Sequence, residues 1–149
     1  MRKLVVGLLA LMLGLASLSS AYVSQRWLDG AEGWKEGMGR HQQLEAPLLV
    51  YFRTDWCPHC QRFDEMLAEP EVRKGLERMM KVVMNPENSP EEQRLFREAY
   101  GLDAFPALVL HPADGSAPRR LSHRGPAEKF LRQFDGSAGD RERPRPPVT

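Results

Sequence analysis

Leu48-Leu49-Val50-Tyr51-Phe52-Arg53-Thr54-Asp55-Trp56-Cys57-Pro58-His59-Cys60 is the stretch on which the reading of this chain turns. Its first five residues are an unbroken apolar run with β-branched and aromatic character, the pattern of a strand buried on both faces. Thr54-Asp55-Trp56 reads as a turn. Pro58 suits the first position of a helix, where its missing N–H is not needed. Phe63, Met66 and Leu67 then recur at i, i+3 and i+4, which predicts a helix over 58–68 with that stripe inward. The two cysteines of the chain therefore sit where a buried strand hands over to a helix.

That position has chemical consequences. The first turn of a helix has unpaired N–H groups and a partial positive charge. A thiolate at Cys57 gains from both, so its pKa is expected below the free value of about 8.5. Cys60, one turn in, is close enough to close a disulfide and more shielded. His59 can carry a charge or donate a hydrogen bond toward Cys57. Pro58 stiffens the turn. Two other readings exist. The pair could be half of a zinc site completed by His41, His111 or His123, although no second ligand pair has the usual spacing. A purely structural disulfide would gain little, because so short a loop removes little chain entropy. Redox chemistry fits the placement best.

Working outward, Ser24–Gly33 reads as an irregular lead-in, and 34–45 as a weak amphipathic helix compromised by Gly37 and Gly39. Glu71–Met79 continues as a short helix after Pro70. Residues 81–84 form a second buried strand. Ser89, Pro90 and Glu92 make an N-cap, an N1 proline and a capping-box partner for a helix to about Ala99, with Gly101 as its C′ residue. Residues 107–110 are a third strand. Asp114-Gly115 favours a hairpin to a polar edge strand over 118–122. Pro126–Phe134 closes as a helix. Strands separated by helices, ending in a hairpin, predict an α/β fold: a mixed sheet of about four strands with helices on both faces.

At 149 residues the chain suits one domain. A net charge of +1 argues against a nucleic-acid binder, and two cysteines exclude a disulfide-dense scaffold or a four-thiolate zinc site. Arg2-Lys3, the apolar run Leu4–Ala16 and Ser19-Ser20-Ala21 have the layout of a secretory signal peptide cleaved after Ala21. The alternative is an uncleaved N-terminal anchor, the one way in which this chain would meet a membrane. Both place the remainder outside the cytoplasm, in the periplasm or an equivalent compartment. The expected organisation is a signal segment (1–21), a lead-in (22–33), one domain (34–135) and a disordered Arg/Pro-rich tail (136–149).

The strand and helix start at 48–60 resemble the active-site region of the thioredoxin superfamily. Tyr100-Gly101-Leu102-Asp103-Ala104-Phe105-Pro106-Ala107 resembles the family segment that carries a cis-proline facing the cysteines. The two motifs stand in the family's order and the likeness spans about residues 34–135. It implies Cys57 as nucleophile, Cys60 as resolving thiol and Pro106 as the cis-proline. Trp56 and Phe105 are then substrate-facing, and the catalytic set is Cys57, Pro58, His59, Cys60 and Pro106. It implies a monomeric thiol–disulfide oxidoreductase without metal or organic cofactor, exchanging disulfides with protein clients and a redox partner protein. A specialised reductase for one client is one form of it. A non-catalytic binding or metal-holding module is the alternative. Two features depart from the family. Tyr51 stands where many thioredoxins have a buried carboxylate. Cys-Pro-His-Cys is the motif of DsbA-type oxidases, yet this chain has no room for their helical insertion. The motif and the architecture point in different directions, which leaves the direction of electron flow open.

Overall fold

The computed structural model describes residues 27–139. The expected signal segment or anchor, and the tail from residue 140, lie outside the described residues. The elements are β1 (Trp27–Asp29), α1 (Gly30–Leu44), β2 (Leu48–Phe52), α2 (Pro58–Ala68), α3 (Pro70–Gly75), β3 (Met80–Met84), α4 (Pro90–Arg94), β4 (Ala107–His111), β5 (Arg119–Leu121) and α5 (Ala127–Gly139). A π-helical turn, Leu95–Ala99, continues α4.

Every residue of β2 is buried, and the strand lies at the centre of the sheet, whose order is β1-β3-β2-β4-β5. Parallel β3 pairs Met84 with Phe52 on one side, and antiparallel β4 pairs Ala107 with Phe52 on the other. Alternation along β2 sends its side chains into two cores. Leu49 and Tyr51 meet Phe63 of α2, Val72 of α3 and Phe130 of α5. Leu48, Val50 and Phe52 meet Leu95 and Phe96, with Trp34 and Met38 of α1 packed against them. Helices thus cover both faces, as the pattern predicts. No described helix is long and apolar enough to cross a membrane.

The lead-in expectation is corrected. Trp27–Asp29 is a strand, parallel to β3 at the sheet edge, so the sheet has five strands rather than about four. Three residues are too few for a period to register. What holds them is tertiary: Leu28 packs on one core and Trp27 on the other. Gly30, at φ +66°, turns the chain from strand to helix in a conformation that other residues rarely adopt. The tail expectation also shifts, because the backbone of α5 continues to Gly139. Once nucleated, a helix extends past its last apolar contact at little cost.

Gly37 is a packing residue rather than a defect. A β-carbon there would lie 2.9 Å from Val82 Cγ2 and 3.2 Å from Leu48 Cδ1, both on the sheet. Gly39 has nothing within 4 Å. Gly37→Ala is therefore expected to lose about 1 kcal/mol net, as overpacking outweighs improved helix propensity. Gly39→Ala should gain up to about 1 kcal/mol. Urea unfolding of the two variants checks the opposite signs.

A half-buried polar chain joins α1 to β4. Trp34 Nε1 donates to the Tyr100 hydroxyl (2.8 Å), which donates to His111 Nε2 (2.8 Å). His41 lies edge-on to His111, at 5.7 Å between ring centroids, and donates from Nδ1 to the Ala46 carbonyl (2.7 Å). Burial, then the neighbouring His41, pulls the His111 pKa down to about 4. Above the unfolded value of about 6.5 the ring is neutral in both states and its contribution is fully present. As pH falls from there toward 4, only the unfolded chain takes up the proton, and stability declines. His111 is partly solvent-accessible, so the expected loss is about 1–2 kcal/mol. Urea midpoints at pH 7 and 4.5 should show that drop in the natural chain and a smaller one in His111→Gln.

Candidate active site

β2 ends at Phe52, and the turn delivers Cys57 to the N-cap of α2. Cys57 and Cys60 form a disulfide with Cα atoms 5.2 Å apart. Cys57 Sγ accepts the Cys60 N–H at 3.1 Å, so a free N–H of the first turn already points at this sulfur. Cys57 is 3% exposed and Cys60 is fully buried. Pro58 occupies the first helical position, and His59 and Pro58 are exposed.

The sequence placed no carboxylate at position 51, and the structure brings one there from the helix. The Tyr51 hydroxyl donates to Asp64 Oδ1 (2.9 Å) and approaches the Cys60 carbonyl (3.3 Å). Burial, then the hydrogen bond to Asp64, keeps this phenol protonated well above the ordinary tyrosine range. Arg53 closes the cluster, with Nε 3.3 Å from Asp64 Oδ2 and Nη1 3.3 Å from Asp55 Oδ1. A carboxylate therefore stands one helical turn beyond Cys60. The signal for Asp64 was its i+4 spacing from Cys60, which puts both on adjoining positions of one helix face.

His59 is tied down by a neighbour that the sequence reading did not single out. Arg62 Nη2 lies 2.8 Å from His59 Nδ1. A guanidinium can only donate, so in this arrangement Nδ1 accepts and the ring proton is on Nε2. Arg62 brings a fixed positive charge to this imidazole. Trp56 is 63% exposed, and its Nε1–H is held by both carboxylate oxygens of Glu87 (2.9 and 3.1 Å). It meets Phe105 edge-on at 6.4 Å, and Phe105 stacks on Phe96 at 4.7 Å.

The Phe105–Pro106 peptide bond is cis, and Pro106 is buried. Both residues share a groove of about 710 Å³ with His59, Phe63, Met66 and His123. Trp56 adjoins it through Phe105, and His59, which stands between the two cysteines in the chain, is the lining residue next to the disulfide. His41 and His111, by contrast, pair with one another on the opposite core, and His123 packs edge-on to Phe63. Among the described residues no three His, Cys, Asp or Glu side chains come together as a metal site.

A family profile described as thioredoxin-like matches residues 26–113, from the edge strand through the cysteines to the end of β4. The chain belongs to the thioredoxin-like family. Its profile match begins at the strand that the sequence reading took for a lead-in. Among solved structures, this thioredoxin-like chain is similar to a thioredoxin from Thermus thermophilus. They are 26% identical, at a TM-score of 0.61, over 80% of this chain and 94% of that one. The oxidised C-terminal domain of Neisseria meningitidis DsbD aligns at 24% identity and TM-score 0.60, over 75% of this chain and 99% of the domain. A disulphide isomerase from Xylella fastidiosa Temecula1 aligns at 20% identity and TM-score 0.53, over 68% and 88%. No curated protein matches it significantly by sequence. The thioredoxin-like fold and its Cys57–Cys60 pair support thiol–disulfide exchange.

Proposed function

We propose that this chain is an extracytoplasmic thiol–disulfide oxidoreductase acting on protein clients. The observation that carries the reading is the Cys57–Cys60 disulfide at the N-cap of α2, with the Cys60 N–H aimed at Cys57 Sγ. In the reducing direction the Cys57 thiolate attacks one sulfur of a client disulfide, and the other client sulfur leaves as a thiolate. Cys60 gives up its proton, attacks Cys57 Sγ and releases the second client thiol. Two electrons pass from the pair to the client, and the Cys57–Cys60 disulfide is restored. The oxidising direction is the reverse. We assign the Cys60 proton to Asp64, the part-exposed carboxylate that Tyr51 holds one helical turn beyond Cys60.

Likeness to a domain solved in both oxidised and reduced forms supports redox cycling of the pair. Export is supported by the Arg-Lys, apolar and Ser-Ser-Ala sequence of the first 21 residues. The test is equilibrium of the Cys57/Cys60 pair with glutathione buffers, read by mass after alkylation. A reversible two-electron transition at a defined potential is expected. A pair that cannot be reduced without unfolding, or that binds stoichiometric metal instead, overturns the reading in favour of a holding module. N-terminal sequencing of the protein from its host, expected to start at Tyr22, tests export.

A further inference from the structure

We propose that the groove beside the cysteines selects client segments with acidic residues flanking the cystine that is exchanged. The inference rests on the oxidoreductase reading and adds the chemistry of the substrate. The floor of the groove is apolar: Phe63 and Met66 from α2, Phe105 and Pro106 from the loop before β4. Its rim carries two guanidinium groups from opposite sides. Arg62 comes from α2, one turn past His59, and Arg124 from the segment between β5 and α5.

Both side chains are exposed, and among the described residues neither has a carboxylate partner. Arg53 and Arg40, by comparison, are paired within the chain, to Asp55 and Asp64 and to Glu36. Arg62 spends one N–H on His59 and keeps the rest of its fork. Arg124 is held in place by its backbone. Its N–H donates to Ser122 Oγ (3.2 Å), and Gly125 follows at φ +103°, where a β-carbon would meet Lys129 at 2.9 Å. His59 adds an Nε2–H donor to the same rim. Glu69 is the one carboxylate in the lining. The acids around Trp56, Asp55 and Glu87, lie outside it.

An apolar floor edged by two guanidinium groups without carboxylate partners and an imidazole donor is complementary to an extended segment that presents carboxylates toward the rim. A lysine or arginine flanking the cystine would bring like charges together there. The preference is electrostatic at a solvent-exposed rim, so it raises encounter and docking rates and weakens with salt.

The probes are three synthetic peptides, each with one disulfide and identical except for Glu, Gln or Lys on both sides of the cysteines. The full chain is reduced and desalted, and its exchange rate with each peptide is measured in about 50 mM and about 500 mM salt. Each rate is divided by that of the same peptide with dithiothreitol, which removes the peptide's own reactivity. The expected order is Glu above Gln above Lys, with about a tenfold spread at low salt. The spread narrows to about twofold at high salt. The double variant Arg62→Gln, Arg124→Gln should bring the Glu/Lys ratio close to one. Arg94→Gln, on the opposite face of the sheet, should leave that ratio intact. Equal normalised rates for the three peptides, or a double variant that keeps the preference, overturns the inference while leaving the oxidoreductase reading standing. No exchange with any peptide overturns the oxidoreductase reading, and this inference with it.

Discussion

A Cys60→Ala chain accumulates mixed disulfides with its clients, and a Cys57→Ala chain does not: that is the result expected from the placement of the two sulfurs. Cys57 is the N-cap residue of α2, and its sulfur faces the Cys60 N–H at 3.1 Å. The helix end favours a negative charge there, and nothing equivalent acts on the fully buried Cys60. Cys57 is also the residue of the pair with residual exposure, so a client is expected to reach it first. With Cys60 removed, the first exchange still occurs, but no internal thiol is left to release the client. With Cys57 removed, the remaining thiol is sealed beneath the helix. Turnover in an insulin-reduction assay should fall on the order of a thousandfold or more in either variant, since the two thiols act as one unit. Non-reducing gels after rapid alkylation separate the variants, because higher-mass adducts should appear only in Cys60→Ala. Equal trapping by both would remove the role assignment.

How far the sequence alone reaches depends on how local each feature is. β2 and the start of α2 were legible because an apolar run, a proline at N1 and a helical stripe lie within about twenty residues of one another. The capping box at Ser89 and Glu92 was legible in outline. The serine hydroxyl does accept the Glu92 N–H (3.2 Å), but the carboxylate takes that hydroxyl and the Asn85 N–H rather than the Ser89 backbone. β1 was missed because three residues hold their place only by pairing with β3. Gly37 was read as a weakness because its purpose, close approach of α1 to Val82, exists only once the sheet is built. The same limit applies at the site. Cys57 and Cys60 are neighbours in sequence and were found there. Tyr51 was read as a missing carboxylate, whereas its hydroxyl reaches Asp64, thirteen residues on. Arg124 and His123 reach the groove only through the final strand and loop, about sixty residues beyond the cysteines, so no local pattern marks them.

The last expectation concerns the potential of the pair. Reduction creates a thiolate at Cys57 that the disulfide lacks, so positive charge and donors near that sulfur favour the reduced form and make the disulfide more oxidising. The sequence assigned this influence to His59. In the structure His59 Nδ1 accepts from Arg62, so ring and guanidinium are coupled and stand on the same turn of helix as the cysteines. His59→Ala is therefore expected to shift the potential to more negative values by about 30 mV, a tenfold change in the exchange equilibrium. Arg62→Gln should shift it in the same direction. The double variant should fall well short of the sum of the two, because the two side chains are in direct contact. Glutathione titration of the four proteins, read by mass after alkylation, measures all three shifts. Additive shifts would mean that ring and guanidinium act on the sulfur independently. Unchanged potentials in every variant would mean that neither reaches it, leaving the Cys60 N–H and the end of α2 as the source of thiolate stabilisation.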